Sequence, residues 1–258
     1  MRLGVVGMLP PDFRNINNDH LEAIKALKLT GTAFHAAGDM LADVTTEECH
    51  TVRDTVAAAG MDLPQFGIGF SECLFDPYQA MRDRVVGKIG RGIEVARDLG
   101  AFTCLIRTGS LNPEGSYCPA RENLTSEARN QLVETLKRVV AKAEAEDVTI
   151  VIETHALTIM GSPEANRDIL KAVGSERVTV VMDFVNHFQN LDQVYNNTQR
   201  LQHIFDIMNP ISVVGHVKDI KLSPGLVLHI DEEIPGDGEL DPVAFVQGLA
   251  DAVLALGG

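Results

Sequence analysis

Short apolar runs and longer amphipathic stretches alternate along this chain almost from end to end. Apolar runs bounded by Gly, Pro and polar residues predict strands over 3–9, 32–37, 63–69, 102–108, 148–153, 178–183 and 211–219. Between them, apolar residues at helical spacing predict helices over 19–29, 46–60, 77–99, 125–146, 163–173, 192–208 and 242–256. Glu47 and Glu48 suit the positive end of the second helix. Gly60, Gly100 and Gly174 stand where three helices should stop. The runs at 148–153 and 178–183 are nearly continuous in β-branched residues, as in strands covered on both faces. The loop over 109–123 is long and rich in Gly, Pro and polar residues. The loop over 220–240 carries an alternating piece at 226–230, read as one arm of a small hairpin.

Seven strands alternating with seven helices imply parallel strand–helix–strand units in a single domain spanning 1–258. A doubly wound open sheet and a barrel both fit this order. Length favours the barrel, since an α/β (β/α)8 TIM barrel takes roughly 250 residues. Polar residues at the ends of many strands favour it too, because an open sheet gathers its site at one switch point. An eighth strand is absent from the sequence as given, so the expectation is a barrel truncated at its C-terminal end.

Composition narrows the partners. With 22 basic and 36 acidic residues the net charge is −14 and the pI about 4.9, which argues against nucleic acid and anionic membranes as partners. No apolar run approaches the roughly 20 residues that cross a bilayer, and the N-terminus lacks the form of a signal peptide. Cys49, Cys73, Cys104 and Cys118 show no zinc-like or CxxC spacing. Reduced thiols and a cytoplasmic location are expected.

The chemistry gathers at three strand ends: Glu153-Thr154-His155, Asp183 through His187, and His216-Val217-Lys218-Asp219. Side chains alternate along a strand, so Glu153 and His155 share a face, as do His216 and Lys218. Asp183 and His187 share one if the strand persists that far. Two carboxylates and an imidazole converging on one point form a mixed site for Mn2+, Mg2+, Co2+ or Zn2+ with positions left for substrate. A metal-free network of ion pairs is the other reading of the same spacing. Lys218 could steady an oxyanion, or pair with Asp219 or a neighbouring acid. His155, His187 with Asn186, His35 and Arg107 are candidate substrate contacts from the ends of strands five, six, two and four. Gly236 and Gly238 read as turn residues.

The stretches Val151-Ile-Glu-Thr-His155, Val180-Val-Met-Asp-Phe-Val-Asn-His187, Gly215-His-Val-Lys-Asp219 and Pro235-Gly-Asp-Gly-Glu-Leu-Asp241 together resemble the xylose isomerase-like TIM barrels, the sugar (phosphate) isomerases and epimerases. The resemblance implies a divalent metal held by Glu153, Asp183 and His216, with a fourth ligand, a strand-eight glutamate, that would lie beyond Gly258. It also implies a carbohydrate substrate and a homodimer or homotetramer. In such epimerases two glutamates exchange the proton beside a carbonyl through a metal-stabilised enediolate; Glu153 would be one base and Lys218 an electrophilic helper. Relatives often carry a histidine three residues after the strand-six aspartate, where this chain has Asn186 followed by His187. An inosose-dehydratase-like lyase fits the same residues. An endonuclease-four-like repair enzyme needs more ligands and a basic face, and a degenerate binding barrel would need no metal.

Overall fold

The computed structural model describes residues 3–255. Seven strands lie side by side in chain order: β1 (Gly4–Val6), β2 (Gly31–Ala37), β3 (Asp62–Gly69), β4 (Thr103–Arg107), β5 (Thr149–Glu153), β6 (Val178–Met182) and β7 (Ser212–Gly215). Every neighbouring pair is parallel. The helices are α1 (Asn18–Ala26), α2 (Thr46–Ala58), α3 (Gln79–Leu99), α4 (Ser126–Ala145), α5 (Pro163–Val173), α6 (Leu191–Tyr195), α7 (Asn197–Met208) and α8 (Pro242–Ala255). The sheet curls, because the His216 imidazole just past β7 reaches Gln65 on β3, Nε2 to Oε1 3.3 Å. The fold is an open (β/α)8-like barrel, and among the described residues no strand joins β7 to β1.

Local chemistry sets the ends of the helices. Thr45 and Glu48 close a reciprocal capping box on α2, and Thr125 and Ser162 cap α4 and α5 with their hydroxyls. Pro163 occupies the first turn of α5, where its missing N–H costs nothing. Gly100 and Gly174 end α3 and α5 in the left-handed conformation that the sequence pattern anticipates. The expected helix over 192–208 is two helices, broken at Asn196, whose side chain donates to the carbonyl and carboxylate of Asp192.

The core has two layers. Phe13, Phe34 and Phe66 stack between the helices and β2–β3, and Ile150, Ile152 and Val180 continue that layer. Leu105, Val151 and Val181 form a separate cluster inside the barrel, with Val213 and Val214 against it. Two residues along from the first three come Arg107, Glu153 and Asp183, on the same face by strand alternation. The barrel's own packing thus aims those three inward at its C-terminal mouth, where barrels of this kind place their chemistry.

The end of the sheet departs from expectation. The strand predicted over 211–219 stops at Gly215, and the chain enters an antiparallel hairpin of β8 (Asp219–Ser223) and β9 (His229–Glu233). The hairpin arm therefore lies three residues beyond the predicted 226–230. The cause is Asp219, which is fully buried. Its Oδ1 accepts from the amides of Ile220 (2.8 Å) and Leu240 (3.2 Å), and its Oδ2 from those of Gly236 (3.0 Å) and Gly238 (3.2 Å). Gly238 comes so close that a Cβ there would lie 2.3 Å from Oδ1. Asp219 is thus the knot of the loop rather than the partner of Lys218.

Among the described residues no helix is long and apolar enough to cross a membrane. All four cysteines are free, and Cys49, Cys73 and Cys104 are buried.

Candidate metal centre

Glu153 ends β5, and Asp183 follows β6 at the first residue where the strand gives way to a short 3-10 turn over Phe184–His187. His216 follows β7, its amide still donating to the Met182 carbonyl at 3.1 Å. The ladder thus fixes the His216 backbone beside that of Asp183. One ligand atom from each of Glu153, Asp183 and His216 lies within 4.8 Å of the others. His216 Nδ1 is 3.5 Å from Asp183 Oδ2 and 3.7 Å from Glu153 Oε1. Both Asp183 carboxylate oxygens are buried, and neither accepts a hydrogen bond of good geometry. The Lys218 ammonium at 3.1 Å offsets part of the charge at Oδ2, but the remaining lone pairs are unspent, and buried lone pairs of that kind are stabilised by a further ion or donor. Two hard oxygens and one imidazole suit a divalent cation, so the residues fit the group that the fold implies.

Electrostatics describe the same trio without a cation. Burial alone would depress the His216 imidazole, but Asp183 and Glu153 outweigh it and push it up to about 9. Burial would raise Glu153, but hydrogen bonds from His216 and Arg107 hold it far below the ordinary carboxylate range. Arg107 Nε donates to Glu153 Oε2 at 2.8 Å. Lys218 Nζ lies 3.1 Å from Asp183 Oδ2 and 2.9 Å from Glu232 Oε1. Although β7 has ended, His216 and Lys218 still converge on Asp183.

The other predicted residues divide. His35 faces Gly67 across the β2–β3 ladder, and its ring fills the space that a Cβ at Gly67 would need, 2.1 Å from the ring. Burial lowers its pKa, and Arg107, Glu153 and His216 are the charges nearest to act on it. His155 stacks on Tyr117 with ring centroids 4.7 Å apart. Asn186 is half-buried, and its carbonyl accepts from the Ala156 amide at 2.8 Å, tying the loop after β5 to the turn after β6. His187 is displaced from the expected face, because the strand does not persist past Met182. It is fully buried, with Nε2 3.3 Å from Thr154 Oγ1.

Gln65 and Tyr117 escape the sequence reading. Gln65 touches His216 from 151 residues away, and Tyr117 comes from the long loop after β4 to lie under the Arg107 guanidinium, 5.0 Å from carbon to ring centroid. The only signal for Tyr117 is an aromatic residue within the polar run at 109–123.

Burial pushes the His187 imidazole down to about 4; Asp183 offsets part of this, while Arg200 and His155 add to it. An unfolded histidine titrates near 6.5 (roughly), so the unfolded chain binds more protons between the two values. Stability from this group is therefore complete above about pH 6.5 and is lost as pH falls toward 4. Replacing His187 with Gln should flatten the fall of unfolding free energy over that window by about one proton's slope. Urea unfolding at stepped pH measures it, and an unchanged slope would contradict the assignment.

The sequence matches the family model described as xylose isomerase-like TIM barrel over residues 21–254. No curated protein matches the sequence. Three solved structures share the fold at low identity. A xylose isomerase domain protein from Planctomyces limnophilus superposes with a TM-score of 0.69 at 17% identity, covering 90% of this chain and 82% of its own. A D-psicose 3-epimerase from Clostridium cellulolyticum H10, solved with D-tagatose, gives 0.70 at 15%, covering 98% and 81%. A xylose isomerase-like TIM barrel protein from Mycobacterium smegmatis, solved with magnesium, gives 0.71 at 13%, covering 98% and 85%.

Proposed function

Since the chain belongs to the xylose isomerase-like TIM barrel family, we propose that it is a divalent-metal-dependent isomerase or epimerase of a small sugar or polyol-derived ketone. One observation carries this reading. Asp183 buries a carboxylate whose Oδ1 has no protein partner and whose Oδ2 has only the Lys218 ammonium at 3.1 Å and the His216 ring at 3.5 Å, within ligand reach of Glu153 and His216. Glu153, Asp183 and His216 would hold the ion, and relatives solved with D-tagatose and with magnesium lend the reading support.

A divalent ion in that position supplies positive charge for a carbonyl oxygen as the neighbouring carbon loses its proton. Glu153 is ionised at neutral pH, as a proton acceptor must be, and takes the proton from that carbon. Lys218, whose ammonium is held in its charged form by Asp183 and Glu232, hydrogen-bonds the oxygen that gains electron density. Burial pushes His155 and His35 toward their neutral forms, in which each can donate to or accept from a substrate hydroxyl. Return of a proton by Glu153 to the adjacent carbon gives an aldose–ketose isomer, whereas a proton delivered from solvent or a second acid to the opposite face of the same carbon gives an epimer. The test is solvent-deuterium exchange into a panel of small ketoses with Mn2+ present. Incorporation at the carbon beside the carbonyl is expected, and its absence across the panel would count against the reading.

A further inference from the structure

Two cations serve the site's two carboxylates, but they are not equivalent. Lys218 has a second acid, Glu232, at 2.9 Å. Arg107 has only Glu153 among the described residues; its Nε is spent there and its two Nη groups have no protein acceptor. The guanidinium carbon lies 5.0 Å over the Tyr117 ring centroid, and that ring in turn stacks on His155. This fixes a planar fork at the edge of the mouth, with 29% of its side chain exposed.

Glu153 and Asp183 contribute two negative charges, and a divalent ion among them contributes two positive. Arg107 and Lys218 remain, with Glu232 to balance Lys218. Once Glu153 serves as a ligand, Arg107 is a partly buried cation whose acceptor is shared away. A neutral sugar leaves that charge short of a counter-charge, whereas a carboxylate or phosphate meets it with two parallel hydrogen bonds.

We propose that Arg107, splinted by Tyr117, is the specificity residue of this site and that the substrate carries an anionic group, a carboxylate or a phosphate, on its polyhydroxy ketone or polyol frame. This rests on Glu153 being a metal ligand, as proposed above. The negative field of a chain of net charge −14 makes the arrangement more telling, since anion capture then depends on this local cation.

The test is calorimetric titration of the Mn2+-loaded protein with two matched pairs: dihydroxyacetone phosphate against dihydroxyacetone, and D-glycerate against glycerol. At least one anion should bind about tenfold tighter or better than its neutral partner, and which pair shows it separates phosphate from carboxylate. Arg107→Met should erase that preference, and Arg107→Lys should restore only part of it. Mn2+ affinity and thermal midpoint, measured in parallel, show whether the variants keep the site and the fold. Equal binding within both pairs overturns the proposal while leaving the metal reading intact. So does a preference that survives in a folded, Mn2+-binding Arg107→Met protein, because the ion alone would then be holding the anion. Failure of the wild-type chain to bind Mn2+ overturns both.

Discussion

Under saturating Mn2+, the Glu153→Gln protein is expected to exchange the proton beside its substrate's carbonyl about 10²–10⁴-fold more slowly than the wild type, the span usual for losing a positioned general base. The substitution is a narrow one. Glutamine keeps the length and one oxygen able to ligate, so an excess of metal can restore occupancy. What it loses is the ability to accept a proton. It also loses the negative charge that His216 approaches at 3.7 Å and that Arg107 grips at 2.8 Å. Exchange followed by NMR in deuterated buffer at several Mn2+ concentrations separates a binding defect from a chemical one. A rate that recovers fully at high Mn2+ would leave Glu153 a ligand and nothing more.

The second large effect lies outside the chemistry. Replacing Asp219 with Ala should cost about 3–5 kcal/mol of unfolding free energy, because up to four amides lose their acceptor at about 1–3 kcal/mol each, with water relieving part. Those amides come from both ends of the excursion that holds β8 and β9, so the hairpin and the segment carrying His216 and Lys218 should loosen together. Urea unfolding measures the first consequence and Mn2+ affinity the second. A loss under about 1 kcal/mol would mean the loop is held by something other than this carboxylate.

The same residue marks where the sequence stops being legible. Helix ends could be read because each signal is local: Glu47 and Glu48 in the first turn of α2, Pro163 at the start of α5, a glycine after α3. The trio of Glu153, Asp183 and His216 could be read because it needs only strand alternation and parallel neighbours. The end of β7 could not, since what terminates it is a set of amides 17 to 21 residues beyond Asp219. An apolar run followed by polar residues looks the same whether the strand goes on or turns away. The face of His187 could not be read for a related reason: the backbone turns after Met182, and alternation fails once extended geometry ends. Gln65 and Tyr117 reach the site through curvature of the sheet and a long loop, and neither has a periodic signature.

If Glu153, Asp183 and His216 hold a divalent cation, titrating Mn2+ into chelator-treated protein should show one ion per chain. Affinity should fall by at least about a hundredfold in Asp183→Asn, at or beyond the upper end of what loss of a group merely behind the ligands costs. No binding by the wild type, or binding that Asp183→Asn and His216→Gln leave unchanged, would contradict it.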